Sequence, residues 1–170
     1  AKVMQPSAVQ ASMIYDMPIH VRSTFSEKAG TEIVSEDNID HKKSVTGIAY
    51  SKNNAKVSIV GVVDKPGVAA DVFEPIGKNN INIDMVIQNT SLDGKIANIT
   101  FTIKQEDLKK TLSTIEKNKK KINYKKITHD EKLAKISIIG AGMITSPGVT
   151  HKMFRSLANK KINILAISTS

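Results

Sequence analysis

The pattern of apolar and polar positions repeats itself along this chain. Two apolar runs rich in Ile and Val predict strands, and each is followed by a Pro-Gly pair and then by apolar residues three or four positions apart. That spacing predicts helices, which we expect to begin at Pro66 and Pro147, where the missing proline N–H costs nothing. Each helix is followed by a run beginning Ile-Asn-Ile, which predicts another strand. The predicted strands are residues 56–63 and 81–88 in the first copy, and residues 134–139 and 162–167 in the second.

The first copy is followed by further elements. Asp93-Gly94 is a hairpin signal that leads into a predicted strand at residues 97–103. A helix is predicted at residues 106–117, and residues 123–128 predict a fourth strand. This order predicts an α+β fold of the ferredoxin-like type (βαββαβ), with an antiparallel sheet and helices on one face.

In the predicted strand at residues 81–88, apolar residues occupy every second position. A period of two places alternate side chains on the same face of a sheet. We therefore expect one apolar face, made of Ile81, Ile83, Met85 and Ile87.

The residues before the first copy form a separate region. Residues 1–35 contain a predicted short helix at residues 7–16 and then a short strand. Residues 36–44 are polar and charged without a period, which predicts a linker, and residues 45–50 predict a strand. The sequence starts with Ala and stops just after a strand-like run. We therefore expect a piece of a longer protein, with the second copy truncated at its C-terminus.

Composition narrows the possible functions. The 170 residues include no cysteine, which excludes disulfides, cysteine zinc sites and thiol catalysis. No apolar run reaches the roughly 20 residues that a membrane span needs, and no secretory signal is visible, so we expect a cytoplasmic protein without a membrane partner. The four histidines lack the spacing of metal ligands, and no phosphate loop is present. We expect no catalytic residue, metal or cofactor in this chain.

The formal net charge of +9 comes almost entirely from lysine. The densest basic stretch, residues 104–126, has two interpretations: a patch for nucleic acid or another anionic partner, or a solvated helix face followed by an exposed turn. This stretch contains no arginine and only one aromatic residue, Tyr124. We therefore favour the solvated face and expect no nucleic-acid partner.

The repeated segment resembles the ACT domain, a small module that binds amino acids and regulates metabolic enzymes. DKPGVAADVF followed by NINIDMVIQN resembles the first ACT repeat of aspartate kinases, and IIGAGMITSPGV followed by KINILAISTS resembles the second. AKVMQPSAV and DMPIHVRSTFSEKAGTEIV resemble the end of an amino-acid kinase domain, and VTGIA resembles the strand that joins the two regions.

This resemblance implies a domain organisation. Residues 1–35 would be the tail of an amino-acid kinase domain and residues 36–44 a linker. Residues 51–133 would form the first ACT domain. The second ACT domain is typically built around the first in this family, so residues 45–50 would pair with residues 134–170 to form it.

The resemblance also implies a function. The chain would be the regulatory part of an aspartate kinase, which phosphorylates L-aspartate with ATP and magnesium at the start of lysine, threonine and methionine biosynthesis. This chain would not be catalytic alone, because the nucleotide-binding part of the kinase is missing. It would bind threonine or lysine for feedback control, and would form a homodimer or associate with a catalytic subunit. The alternative is an ACT dimerisation module that binds no ligand.

A free amino acid could bind where the first strand turns into the helix. A helix that begins at Pro66 directs free N–H groups and partial positive charge outward, which suits an α-carboxylate. Gly67 allows close approach, Asp64 could pair with an α-ammonium, and Gln88 could bond a ligand side chain. The second copy lacks this aspartate, so the two turns are not equivalent. The family's use of a facing second repeat completes the candidate effector-binding set: Asp64, Lys65, Pro66, Gly67, Val68, Ala69, Gln88, Asn89, Thr150, Asn163 and Ile164.

Five polar members of this set also have a structural explanation. Asp64 is equally well explained as a helix N-cap or a turn residue. Gln88 and Asn89 could be polar residues of an edge strand. Thr150 could be a helix-surface threonine, and Asn163 a turn-facing amide at a strand entry.

Overall fold

A computed structural model describes residues 3–35, 44–140, 143 and 146–169. The chain divides into two compact units, one comprising residues 1–46 and 140–149 and the other residues 47–139 and 150–170. The predicted linker at residues 36–44 lies outside the described residues except for its last residue. The boundaries of the predicted domains remain a prediction.

The smaller unit contains one helix and one two-stranded sheet. Helix α1 (Pro6–Ile14) starts with proline in its first turn and has no buried residue. Strands β1 (Ile19–Val21) and β2 (Thr31–Ile33) pair antiparallel. The predicted short helix and short strand are therefore confirmed. No helix in the described parts of either unit is long and apolar enough to cross a membrane.

The larger unit, called the sheet unit below, contains a four-stranded sheet in the order β4-β5-β3-β6. All three neighbouring pairs are antiparallel, and the strand that follows the first helix lies at the edge. This order confirms the predicted α+β, ferredoxin-like fold. The elements are β3 (Gly47–Val63), α2 (Val68–Lys78), β4 (Ile83–Thr90), β5 (Ile96–Lys104), a 3₁₀ turn (Gln105–Asp107), α3 (Leu108–Lys117), α4 (Lys119–Ile122), β6 (Lys126–Ile139) and α5 (Val149–Asn159).

The core lies between one face of this sheet and helices α2 and α3. Ile59 and Phe101 from the sheet, Ile76 from α2 and Ile115 from α3 are fully buried in a single cluster. Phe73 meets Phe101 edge to face, with ring centroids 5.4 Å apart. Burial of large apolar side chains on one face of the sheet explains why the helices lie on that face.

Strands β3 and β6 are each longer than predicted. Each joins two segments that the sequence predicts as separate strands. Residues 47–51 of β3 pair with residues 135–139 of β6 in a two-stranded extension, called the ribbon below. The register shifts on either side of Asn54, which is buried and donates hydrogen bonds from Nδ2 to the carbonyl and hydroxyl oxygens of Ser51 at 3.2 and 3.0 Å.

The predicted apolar face of β4 is wrong because the strand contains a β-bulge at Asp84. Ile83 lies opposite Ile103, but Met85 lies opposite Thr102, so β4 has one extra residue between them. Because the side-chain period of a strand is two, one extra residue moves all later side chains to the other face. Ile83 accordingly packs against the core cluster, whereas Met85 and Ile87, which lies opposite Thr100, face away from the helices.

The predicted strand at residues 162–167 is not formed, and residues 162–169 have no regular secondary structure. In the first repeat, the strand after the helix, β4, pairs only with the next strand, β5. Among the described residues no strand pairs with residues 162–169, so this segment gains no backbone hydrogen bonds from a sheet there.

Candidate functional site

The first repeat brings two groups of predicted site residues to one end of the sheet. Strands β3 and β4 run parallel to each other with β5 between them, so both strands finish at the same end of the sheet. At this end Val63 lies opposite Ile96, and Thr90 lies opposite Ala97. The spacing of neighbouring strands puts the two ends about 10 Å apart. The turn after β3 and the last residues of β4 therefore flank the same region.

The turn after β3 has a conformation that only glycine adopts easily. Gly67 has φ of +91°, and the space where a Cβ would lie is open. A left-handed residue cannot sit inside an α-helix, so α2 begins at Val68 and not at Pro66 as predicted. Pro66 and Gly67 form an exposed turn, next to exposed Lys65 and half-buried Ala69.

The structure rules out one explanation of Asp64. The N-cap residue of α2 is Gly67, and no side chain caps the helix, so Asp64 is not an N-cap. Its backbone N–H donates to the carbonyl of Lys95 at 2.9 Å, which fixes the start of the turn against β5. Asp64 itself is half-buried.

The N-terminus of α2 offers its backbone dipole without a capping oxygen. The first intrahelical bond runs from the N–H of Asp71 to the carbonyl of Gly67, at 3.0 Å. Such a terminus carries partial positive charge and attracts carboxylates. Asp71 lies in the first turn of α2 but is paired with Lys121 at 3.0 Å, so its negative charge is balanced.

Lys121 pairs with Asp71 and Glu74 of α2, a contact that the sequence does not predict. Its pKa is raised by hydrogen bonds to Asp71 and then Glu74, and the pKa of Glu74 is lowered by Lys78 and then Lys121. These contacts join α4 to α2 over 47 residues of sequence. No periodic pattern predicts such a contact, because it depends on how two helices pack.

The bulge in β4 separates the two predicted residues at the strand end. Gln88 lies opposite Ile99, a core residue, so Gln88 projects from the face that carries α2. Asn89 lies opposite Asn98 and projects from the other face. Of the two amides, Gln88 is on the same side of the sheet as the turn at residues 64–67.

The predicted site residues of the second repeat are not brought to this turn. Thr150 is exposed in the first turn of α5, Asn163 is exposed, and Ile164 is half-buried in the segment that follows the helix. Across the described part of the sheet unit, no hydrogen bond or ion pair joins these three residues to residues 64–69. Their role stays a prediction.

The second Pro-Gly turn nevertheless copies the backbone of the first. Gly148 has φ of +92°, again with open space where a Cβ would lie, and α5 begins at the next residue, not at Pro147 as predicted. Both helices have 11 residues. Each is followed by a left-handed residue, Asn80 at +54° and Lys161 at +56°. The repeat is therefore conserved between the two copies in backbone geometry as well as in sequence pattern.

The remaining charged groups do not form a metal site in the described residues, where no cluster of three or more His, Cys, Asp or Glu occurs. In the basic stretch, Lys104 pairs with Glu106 at 3.4 Å, and Lys119 pairs with Glu116 at 3.5 Å. Lys121 pairs with two acids as described above. Part of this stretch is thus balanced by neighbouring carboxylates, which fits a solvated helix surface.

Two segments of the chain match the ACT domain family, at residues 57–119 and at residues 136–170. The first match begins within β3 and extends to the start of α4. The second begins within β6 and includes α5. Each match therefore contains most of one copy of the strand–helix–strand segment, and the first also covers β5 and α3.

Aspartokinases are similar to the whole chain. The aspartokinase of Mycolicibacterium smegmatis is 40% identical over 174 residues, which covers 100% of this chain and 41% of that protein. A crystal structure of aspartokinase alpha and beta subunits is 40% identical, has a TM-score of 0.67, and is matched over 74% of this chain and 82% of that chain. The regulatory subunit of aspartate kinase from Thermus flavus is 33% identical with a TM-score of 0.68, matched over 75% of this chain and 84% of that chain. This chain spans about two fifths of the length of the curated aspartokinases.

Proposed function

The chain belongs to the aspartokinase family and corresponds to its ACT-domain regulatory region, and from this premise we propose that it binds a free amino acid and controls an aspartate kinase allosterically. The kinase would phosphorylate L-aspartate with ATP and magnesium. The effector would be an end product of the pathway, threonine or lysine. A ligand shifts a conformational equilibrium only by its differential affinity for the two states, so binding must favour one state of the kinase.

The observation that supports the proposal most directly is the uncapped, glycine-led N-terminus of α2 beside Asp64. The helix N-terminus suits the α-carboxylate of the effector, and Asp64 suits its α-ammonium. Gln88 projects from the same face of the sheet and could bond the effector's side chain. Together these groups recognise a free amino acid without a nucleophile or a general base.

The second repeat would complete the site through Thr150, Asn163 and Ile164. Because no described hydrogen bond or ion pair joins these residues to the first turn in this chain, the facing repeat would come from a partner subunit. We therefore propose a homodimer through ACT domains, or an association with a catalytic kinase subunit, in the cytoplasm. In either assembly, effector affinity and subunit association depend on each other.

A thermal-shift panel of the protein amino acids tests the proposal. A ligand that binds the folded state raises the unfolding midpoint by mass action, so threonine or lysine should raise it and the other amino acids should not. Calorimetry on Asp64→Asn should then show at least a tenfold weaker affinity. Glu106→Gln, which removes an exposed acid far from the turn, is the matched control.

The alternative is an ACT dimerisation module that binds no effector. The absence of an aspartate in the second turn favours it for that repeat. If no amino acid raises the midpoint and sedimentation still shows a dimer, the alternative replaces the proposal.

A further inference from the structure

Strand β4 has two possible registers on β5, and they present different residues beside the turn at residues 64–67. In the observed register, the bulge at Asp84 puts Gln88 on the helix side and Asn89 on the opposite side. Without the bulge, the pairing of Ile83 with Ile103 would continue one to one. Every later side chain would then change faces, and Asn89 would replace Gln88 on the helix side.

The apolar pattern of β4 favours the register without the bulge. That register would direct Ile83, Met85 and Ile87 together toward the core, as the sequence predicts. In the observed register only Ile83 packs against the core, while Val86 lies opposite Phe101 and is still 48% exposed. Hydrophobic burial alone therefore does not explain why the strand is bulged, and a further contact contributes to the choice of register.

That contact comes from the second repeat. Lys135, near the start of the second copy, lies in the ribbon and donates from Nζ to both carboxylate oxygens of Asp84, at 2.8 and 2.6 Å. Asp84 is the extra residue of the bulge. A bulge changes the direction in which a side chain points, and this bulge directs the Asp84 carboxylate toward Lys135.

We propose that the ion pair between Lys135 and Asp84 is a latch by which the second repeat holds β4 in its bulged register, so that Gln88 and not Asn89 faces the candidate site. Lys135 and Asp84 are positioning residues in this scheme. Both side chains are 43% exposed. Exposed pairs contribute little, so the latch shifts the register equilibrium modestly, by about two- to fivefold. The relevance of Gln88 rests on the proposed function; the choice of register does not.

Engineered disulfides can report the register directly, because the chain has no cysteine of its own. In the bulged register residue 87 lies opposite residue 100, and without the bulge residue 86 would take that place. The pair Ile87→Cys with Thr100→Cys therefore reports the bulged register, and Val86→Cys with Thr100→Cys reports the other. Each pair is placed in the unaltered background and in backgrounds carrying Asp84→Asn or Lys135→Met, with circular dichroism to measure the folded fraction.

We expect either background substitution to raise the yield of the 86–100 disulfide about two- to fivefold and to lower that of the 87–100 disulfide. The exchanged pair, Asp84→Lys with Lys135→Glu, should return both yields toward the starting values. Glu106→Gln, which removes one acid from another exposed pair, should change neither. Equal yields in folded protein across all backgrounds would overturn the latch. No ligand is present, so this result is independent of whether any amino acid binds.

Discussion

The two repeats share a turn and a helix but differ in how much they bury. In α2, Val68, Val72 and Ile76 are buried, whereas no residue of α5 is buried. The turns before the two helices have the same left-handed glycine, and both helices have the same length. Local sequence therefore sets the conformation of the turn and the length of the helix in each copy. Burial depends on the sheet, which is complete beside α2 only.

The difference separates local from tertiary determinants. A helix of about 11 residues is marginal in water without tertiary packing. α2 has a four-stranded sheet to pack on, while the second repeat has the ribbon and an unpaired segment after α5. We therefore expect the first repeat to behave as one cooperative unit and the second to open independently.

Hydrogen exchange should show the largest difference between the repeats. Amides of β5, which is hydrogen-bonded on both sides, should exchange about a thousandfold or more slower than unstructured amides, because they open only with the whole sheet. Amides of residues 163–168 should exchange at nearly unprotected rates. Mass spectrometry of peptic fragments measures both. Strong protection of residues 163–168 would mean that a partner strand pairs with them, which would contradict the expected difference between the two repeats.

Truncating matched helix residues should give the next largest effect. Ile76 of α2 and Leu157 of α5 occupy the same place in the two copies. Ile76 is fully buried, so Ile76→Ala should cost about 2 to 5 kcal/mol of the free energy of unfolding. Leu157 is half-buried, so Leu157→Ala should cost less than about 1 kcal/mol. Urea unfolding followed by circular dichroism measures both. Similar costs would show that α5 has a packing partner like that of α2.

Substitution of the two turn glycines isolates backbone strain from packing. Neither Gly67→Ala nor Gly148→Ala creates a steric clash, because the space beside each Cα is open. Alanine at positive φ costs about 1 to 2 kcal/mol. Gly67→Ala should lower the stability seen in the main unfolding transition by this full amount. Gly148→Ala should hardly change that transition, because we expect the second repeat to open independently. Differential scanning calorimetry distinguishes the two. An equal shift in both variants would place α5 in the same cooperative unit as α2.

The elements of the first repeat could be predicted from sequence because their signals are local. Helical spacing of apolar residues predicts α2 and α3, and Asp93-Gly94 predicts the hairpin between β4 and β5. The helix starts were misplaced by two residues because a Pro-Gly pair suits both a helix start and a turn. Only the left-handed conformation of Gly67 distinguishes them.

The register of β4 and the completed site could not be predicted because they depend on distant contacts. The alternation of apolar residues in β4 does not reveal that the strand contains one extra residue. The ion pair at that residue joins Asp84 to Lys135, which is 51 positions away in the sequence. Asp64 and Gln88 could be expected near each other, because both follow or end parallel strands of one sheet. Asn163 and Ile164 could be linked to them only through the family resemblance, since their own strand does not form.

Loss of the hydrogen bond between Tyr124 and Glu116 should change the free energy of unfolding least among these predictions. The pH dependence of that change distinguishes the hydrogen bond from packing. The Tyr124 hydroxyl donates to Glu116 at 2.6 Å, which lowers the pKa of Glu116, while burial and then this bond raise the pKa of Tyr124. The lowered pKa stabilises the fold above the ordinary glutamate pKa of about 4.3, and this is lost as pH falls. The raised pKa stabilises the fold below the ordinary tyrosine pKa of about 10, and this is lost as pH rises.

Tyr124→Phe should therefore lower the unfolding midpoint most near neutral pH, with a difference from the unaltered chain that shrinks in acid and in alkali. Tyr50→Phe is the control, because Tyr50 lies in the ribbon and is 73% exposed. Thermal melts from pH 3 to pH 11 measure both variants. A difference for Tyr124→Phe that stays constant across this range would show that the lost stability comes from packing and not from the bond to Glu116. A matching pH profile for Tyr50→Phe would show that the effect is not confined to the first repeat.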